Sequence, residues 1–341
     1  MFYLCYNNQS SLAYFVENNM RKTAAFILAL VVGFPFCALG NDGYWNTVDY
    51  PSFNSVDPED TYTGNLKKHN LAIAYEYSDY GYREPHMEYP IHDFGKKHGV
   101  SLLYTRNSVL SDSVNENDPS FAQLELRYMN GKVDYDGYWS DGTPLYISDE
   151  KDYYWEFAIK IGRYYNLTSA AKLWPYIGFG YRGLRNGEDK YIDLGGGEYG
   201  FVYQRTSSYI YIPLGTSLSY DIGDSVRLTL NGQFDWLFRG NQNSHTGDML
   251  VNSNSISNKQ HKGYGLRASI KLETDLGKIG LFVEPFWRYW KIQNSEKVYL
   301  YYMDDEGNLI LDDEGNPIVA GWMMEPFNIT REYGIRVGVT F

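Results

Sequence analysis

The stretch REYGIRVGVTF, residues 331–341, alternates strictly between two kinds of residue. From residue 333 onward, every second position holds an aromatic or branched apolar residue: Tyr333, Ile335, Val337, Val339 and Phe341. The residues between them are glycine, arginine or threonine. Side chains of a β-strand point alternately to opposite faces, so this stretch has one apolar face and one small or polar face. The pattern fits an ordinary two-faced strand, and it also fits the last strand of an outer-membrane barrel.

Nine further segments alternate in the same way. They cover residues 70–78, 99–106, 122–129, 154–162, 174–183, 207–220, 226–238, 264–272 and 279–290. The links between them are alternately long and mostly short, as in transmembrane barrels with an even number of strands. One expected short link, 107–120, is longer than a turn requires. The sequence therefore predicts an all-β fold, a closed antiparallel transmembrane β-barrel of ten strands.

The opposite faces of these strands carry charges of both signs. These inward positions are Glu76, Glu125, Arg127, Glu156, Lys160, Arg227, Asp235, Arg267, Lys271, Glu284, Arg288 and Arg336. In lipid the sheet must close, because no backbone edge can stay unpaired there. In a barrel of ten strands these charges are expected to meet across the lumen and plug it, since aqueous channels need roughly 16 strands. A small porin is the least favoured alternative.

The N-terminal region has the features of a secretory signal peptide. A basic start at 20–22 precedes the apolar stretch 23–36, and small residues favour cleavage before Asn41. Residues 1–19 are interpreted as the product of an upstream start codon, without a structural role. Both cysteines lie before this cleavage point, so disulfides are not expected in the mature chain.

The domain organisation follows from these features. Residues 1–40 form the leader with its extension, and residues 41–341 form one barrel domain, with a short segment 41–69 before the strands at 70–341. The expected location is the bacterial outer membrane. The net charge of −12 argues against nucleic-acid binding, which needs a basic surface.

Two stretches at the predicted outward loops carry candidate catalytic residues. GKVDYDGYW, residues 131–139, contains Asp134 and Asp136, and DWLFRGNQNSH, residues 235–245, contains His245. Carboxylates at i and i+2 of a strand lie on the same side. When two negative charges lie so near each other, their repulsion raises the pKa of one of the two carboxyl groups. A histidine across a cleft could deprotonate a water held between them. Asp-x-Asp followed by glycine is also ordinary turn chemistry.

The same two stretches resemble the omptins, outer-membrane endopeptidases with ten strands. Val133-Asp134-Tyr135-Asp136 stands where that family has Val-Asp-x-Asp, and His245 follows Trp236 by the family's nine residues. The family's aspartate before the histidine is replaced by Asn243. The segments WEFAIKIG, 155–162, and YQRTSSYIYIPLGTSLSY, 203–220, are also similar to omptin strands.

The resemblance implies a peptidase site made of Asp134, Asp136 and His245, with Asn243 in the orienting position. Asparagine can orient the histidine ring but cannot neutralise its charge, so the site is expected to be degenerate or weak. Asp235 or Asp248 could replace the missing carboxylate, but neither has the family spacing. Whether the chain is an enzyme stays open, and a non-enzymatic surface barrel for adhesion or envelope structure is the alternative.

The remaining motifs are weaker. The glycine-rich stretch 194–200 lies between strands and does not precede a helix, so it is not a phosphate-binding loop. The repeated Asp-Asp-Glu-Gly-Asn at 304–308 and 312–316 lacks the ligand spacing of an EF-hand and is expected to form two turns. No cofactor and no metal are expected.

The expected partners follow from the location. They are outer-membrane lipid and lipopolysaccharide, the barrel-assembly machinery, and either a peptide substrate or a host surface protein. The terminal aromatic residue Phe341 resembles the signal by which the assembly machinery recognises the last strand of a bacterial barrel.

Overall fold

A computed structural model describes residues 68–110, 119–139, 142–195, 198–245, 256–304 and 306–341. The predicted leader and the segment 41–67 lie outside these residues. The ten strands of the barrel are β1 (His69–Glu84), β2 (Ile91–Asn107), β3 (Ser120–Tyr138), β4 (Pro144–Arg163), β6 (Ala171–Asn186), β9 (Arg205–Ile222), β10 (Val226–Ser244), β12 (Gly263–Asp275), β13 (Gly280–Ile292) and β16 (Asn328–Thr340). The shorter strands are β5 (Tyr165–Asn166), β7 (Lys190–Gly195), β8 (Glu198–Val202), β11 (Ile256–Gln260), β14 (Val298–Tyr301) and β15 (Val319–Met323).

The ten long strands pair antiparallel, each with its neighbour along the chain, and β1 pairs with β16 to close the sheet. In the closing register Ile73 lies opposite Val339 and Tyr75 opposite Val337. The predicted closed antiparallel barrel of ten strands is confirmed. The first two strands are present, although the link between β2 and β3 is longer than a turn requires. Within the described residues, no helix is long and apolar enough to cross a membrane.

The outer wall of the barrel is apolar and its interior is polar. Exposed outer residues include Ile73, Tyr75, Val100, Leu126, Ile159, Ile177, Phe179, Leu230, Ile270, Leu281, Ile335 and Val337. Buried interior residues include Glu76, Lys97, Arg127, Glu156, Arg182, Asp235, Arg288 and Glu332. A closed sheet with apolar residues outside and charges inside is the arrangement of bacterial transmembrane barrels. The protein is therefore a β-barrel of the bacterial outer membrane.

The apolar belt ends before the strands do. On β1 it ends at Tyr77, and the next outward residue, Asp79, forms an exposed ion pair with Lys96 of β2. Above this level β3 continues to Tyr138 and β10 to Ser244. The stretches 131–139 and 235–245, predicted as outward loops, are thus almost entirely strand. The reason is that ladder hydrogen bonds join backbone groups and continue where both faces have become polar.

Candidate functional site

Asp134 and Asp136 lie on the outer wall of the barrel and do not face the lumen. The register between β2 and β3 is unbroken, with Asp134 opposite Phe94, so the alternation of β3 continues past the membrane. Val133, between Lys132 and Asp134, is 1% exposed and points inward. Asp134 and Asp136 lie on the same face of β3 as the exposed Tyr128. The two aspartates therefore share one face, as expected, but this face is the outer one.

The contacts of Asp134 are those of a structural residue. Its carboxylate accepts hydrogen bonds from the backbone N–H of Asp149, 3.0 Å away, and from the hydroxyl of Tyr146, 2.8 Å away. The hydrogen bond from Asp149, followed by that from Tyr146, lowers the pKa of Asp134. Both hydrogen bonds come from β4, so they tie the Asp134 carboxylate to the neighbouring strand.

Asn243 and His245 also lie on the outer wall. A β-bulge on β10 shifts its register with β9 between Leu237 and Arg239. Below the bulge the even-numbered residues of β10, such as Trp236, point outward. Above the bulge the odd-numbered residues point outward instead, and Asn243 is one of them. His245 comes directly after the last residue of β10. Its Nε2 lies 3.2 Å from the hydroxyl of Thr206 on β9.

The two halves of the predicted site are therefore separated along the wall. Three strands, β4, β6 and β9, lie between β3 and β10. Both halves project outward, and the structure does not bring them together across the mouth. Of the two substitute carboxylates, Asp235 points into the lumen and binds Arg267 at 2.6 Å, and Asp248 lies outside the described residues. A joint catalytic role of Asp134, Asp136, Asn243 and His245 stays a prediction.

A groove of about 350 Å³ lies beside Asn243, at the upper end of the apolar belt. We call it the outer-wall groove. It is lined by Tyr153, Trp155, Tyr181, Gly183, Leu184, Arg185, Gln204, Thr206, Ser207, Ser208 and Asn243. Aromatic rings of β4 and β6 form one side, and small polar residues of β9 form the floor. Only Trp155, Tyr181, Gly183, Ser207 and Ser208 lie in predicted strand segments, and the pairing of β4, β6, β9 and β10 is needed to bring the lining together.

An ion-pair network crosses the lumen at membrane level, beside a cavity of about 170 Å³. Glu76 accepts hydrogen bonds from Arg127 at 3.1 Å, Arg288 at 2.6 Å and Arg336 at 3.0 Å. A second centre, Glu156, binds Arg127 and, at 2.7 Å, Arg267. The predicted plug of charges is present. Lys97, Asp152, Arg182 and Glu332 also lie inside and were not among the predicted charges. Lys97 and Asp152 stand outside the predicted segments 99–106 and 154–162, whereas Arg182 and Glu332 have the inward parity of their predicted segments and were missed.

A cluster of buried carboxyl groups lies at the extracellular mouth. Glu84 of β1, Asp93 of β2 and Glu325, between β15 and β16, surround Arg205 of β9. Desolvation, followed among the raising effects by the charge of Glu84, raises the pKa of Glu325 to about 8. Desolvation also raises the pKa of Asp93 to about 7. The cluster therefore holds protons near neutral pH.

The two Asp-Asp-Glu-Gly-Asn repeats form turns of the same geometry. Asp304 Oδ1 accepts hydrogen bonds from the backbone N–H groups of Glu306 at 3.0 Å and Asn308 at 2.8 Å, and Asp312 does the same with the equivalent residues at the same distances. Gly307 and Gly315 both have a positive φ that the turn requires. Among the described residues, no group of three histidine, cysteine or acidic side chains has the arrangement of a metal site.

Comparisons with known proteins support the fold and no more. No family model matches the chain, and no curated protein does. The structure is similar to the outer membrane protease OmpT from Escherichia coli, with a TM-score of 0.52 and 10% identity over 82% of this chain and 99% of that one. This likeness extends over nearly all of the protease and supports the barrel architecture.

Two other solved barrels are more distant. The translocator domain of the autotransporter NalP from Neisseria meningitidis has a TM-score of 0.36 and 10% identity, over 82% of this chain and 90% of that one. A major outer membrane protein from Thermus thermophilus has a TM-score of 0.32 and 12% identity, over 79% and 99%. Scores this low carry no conclusion about function.

Proposed function

We propose that this protein is a non-enzymatic surface barrel that binds a ligand on the extracellular side of the outer membrane. The observation that carries the proposal is the direction of Asp134 and Asp136, which project from the outer wall with three strands between them and the strand that leads to His245. A water held between the acids and the histidine needs polar atoms within hydrogen-bond reach. Residues on separate stretches of one convex wall do not meet this need.

The extracellular part of the chain offers a large surface for recognition. Hairpins β7–β8 and β14–β15 stand apart from the barrel sheet. Beyond β14, the segment carries exposed apolar side chains, among them Leu309, Leu311 and Val319. The acidic turns at 304–308 and 312–316 flank these residues. Exposed apolar residues close together often mark a surface that contacts another protein, so this hairpin region supports the expected host surface partner.

The binding role is tested on whole cells. Cells that display the barrel are expected to adhere to at least one of immobilised fibronectin, laminin, collagen or an epithelial monolayer more strongly than barrel-free cells. A variant in which residues 303–317 are replaced by Asn-Gly should adhere less at equal surface level, because Leu309, Leu311 and both acidic turns are lost. Equal adhesion of displaying and barrel-free cells on all four surfaces would contradict the proposal.

The ion pairs across the lumen predict that the barrel does not conduct. In a planar bilayer the purified protein should show no stable current steps, whereas a general porin of roughly 16 strands, measured in parallel, should show them. Glu76 and Glu156 form ion pairs with arginines of other strands across the lumen, which should oppose the passage of ions. Regular current steps, recorded with single purified barrels in the bilayer, would show a continuous water path and would favour the porin alternative.

A degenerate omptin-like peptidase is the second candidate. What favours it is the likeness to an outer membrane protease over 99% of that chain, together with the Val-Asp-x-Asp stretch and the spacing of His245. On the observed geometry we expect no cleavage of a mixed peptide library by the wild type, by Asn243→Asp or by Asp134→Ala, with and without lipopolysaccharide. Cleavage by Asn243→Asp that disappears in Asn243→Asp/Asp134→Ala would establish the peptidase.

Contact of the barrel with lipid and with the assembly machinery is a further prediction. Lipopolysaccharide surrounds the outer wall of any barrel in this membrane, and the outward Phe341 side chain, at the end of β16, is 47% exposed. Its backbone N–H donates to the carbonyl of Leu71 at 2.9 Å, which places the residue at the closing seam. These positions support contact with lipid and with the assembly machinery.

A further inference from the structure

We propose that the outer-wall groove binds a saccharide. The inference names the ligand class for the surface recognition proposed above and therefore rests on it. The groove lies directly beyond the apolar belt, between a wall of aromatic rings and a ridge on β10. It is open to the outside along its length, so a ligand can enter without a conformational change.

The aromatic wall is preformed. Trp155 of β4 stacks on Tyr181 of β6 with ring centroids 4.8 Å apart and an interplanar angle of 29°. Gly183 makes this possible, because a Cβ there would lie 2.6 Å from Nε1 of Trp155. Tyr153, the next outward residue of β4, extends the wall upward, and the guanidinium of Arg185 lies 6.0 Å from its ring centroid. The rings are thus held before any ligand arrives.

The floor and the opposite side are polar and low. Thr206 and Ser208 line the groove from β9, and their small side chains leave a trench beside the rings. The side chain of Ser207 between them points to the lumen, where its hydroxyl donates to Gln242 at 3.0 Å. Asn243 of β10, paired with Thr206, forms the opposite ridge. Its Oδ1 accepts a hydrogen bond from Asn241 at 2.9 Å, which fixes the amide and directs its Nδ2 away from that contact. Hydroxyl and amide groups both donate and accept hydrogen bonds.

This combination fits a sugar ring better than other ligands. A pyranose has a C–H face that packs on an aromatic ring and an edge of hydroxyls that bind hydroxyl and amide groups. An acyl chain would leave the polar floor unpaired, which is costly. Among the residues lining the groove, all in the described part of the chain, Arg185 alone is charged, so a polyanion would be poorly neutralised. Aromatic residues that only anchor a barrel at the interface require no hydroxyl trench beside them.

The test measures saccharide binding by the folded barrel in detergent micelles. The probes are cellohexaose, chitohexaose, maltohexaose, sialyllactose and a lipid-free core oligosaccharide from the host strain, followed by tryptophan fluorescence and calorimetry. We expect saturable binding of at least one probe. Trp155→Ala and Ser208→Phe should weaken it at least tenfold, because one removes the stacking face and the other fills the trench. Trp236→Ala removes an equally outward tryptophan away from the groove and should bind as the wild type does.

Each variant is first checked for folding by the different gel mobility of unboiled and boiled protein, and Ser208→Phe keeps the test valid if Trp155→Ala does not fold. Binding of the core oligosaccharide alone assigns the source to the cell's own outer leaflet, and binding of another probe assigns it to an external glycan. No binding of any probe overturns the inference, as does equal binding by Trp155→Ala and Trp236→Ala. If groove variants fail to change adhesion while displaying cells still adhere, only the saccharide inference fails.

Discussion

Replacing Glu76 by alanine is expected to lower the free energy of unfolding by about 3–5 kcal/mol, the loss typical of breaking a buried ion pair from one side. Glu76 is fully buried and accepts hydrogen bonds from Arg127, Arg288 and Arg336. These arginines come from β3, β13 and β16, so one carboxylate joins strands on both sides of the closing seam. Alanine would leave three guanidinium groups without their shared acceptor inside the barrel.

The measurement is urea-induced unfolding of the barrel in lipid vesicles, followed by tryptophan fluorescence. The matched control is Asp79→Ala, on the same strand but on the outer wall, where its ion pair with Lys96 is exposed. Exposed ion pairs contribute little to stability because water and salt screen them. Glu76→Gln, which keeps the shape and one acceptor oxygen, should fall between the two. A Glu76→Ala barrel as stable as the Asp79→Ala barrel would show that the network does not depend on this carboxylate.

The sequence predicts the membrane part of the barrel well because lipid imposes a strict pattern there. An outward residue must be apolar there, and an inward residue is free to be polar. An alternation such as Leu124, Leu126 and Tyr128 therefore predicts both the strand and which of its residues point outward. This is why the strand number and the inward charges were correct. Above the membrane water contacts the outer wall, the constraint ends, and the pattern no longer marks where a strand stops.

The direction of the acidic pair could have been predicted by carrying that alternation forward. Asp134 and Asp136 have the same parity as Tyr128, and β3 has no bulge against β2, so they continue its outward face. The motif resemblance drew attention to the spacing of the two aspartates, and spacing alone does not give the direction of a face. The alternation along β3 therefore predicts which face the aspartates occupy, whereas the Val-Asp-x-Asp motif does not.

The direction of Asn243 could not have been predicted in this way. Its parity is opposite to that of Trp236, which would place it inside the barrel. The bulge between Leu237 and Arg239 reverses the phase and turns Asn243 outward, toward the groove. A bulge adds one residue to one strand only, and the stretch Leu-Phe-Arg carries no glycine or other local signal for it. Tertiary pairing with β9 is needed to see it.

The second large effect is a loosening of the extracellular mouth as pH rises. Glu325 joins the base of hairpin β14–β15 to the barrel, since it accepts hydrogen bonds from Gln242 of β10 and, at 3.2 Å, from Tyr82 of β1. Its backbone N–H donates to Ser295 at 2.8 Å. Burial and the neighbouring Glu84 raise its pKa from an ordinary value near 4.5 to about 8. The folded mouth therefore binds a proton that the opened segment releases.

The sign of the pH effect follows from this difference. Because the folded pKa lies above that of the opened segment, the stabilisation is fully present below about pH 4.5 and is lost as pH rises through about 8. Over that range the equilibrium for local opening should increase by up to roughly tenfold per pH unit, and it should level off above it. Asp93 of β2, with a pKa raised to about 7, faces the same cluster and adds to the effect at its own strand.

Hydrogen exchange resolves this loosening at residues 319–327. After correction for the intrinsic pH dependence of exchange, protection of these amides in the wild type should fall between pH 5 and pH 8 and then level off. Glu325→Gln keeps both hydrogen-bonding partners without a titrating proton, so the protection of this segment should vary much less with pH. Glu314→Gln, which changes an exposed carboxylate in a turn of the same hairpin region, should behave as the wild type does. The same fall of protection in Glu325→Gln and in the wild type would assign the pH response to Asp93 instead, because this carboxyl faces the same cluster around Arg205.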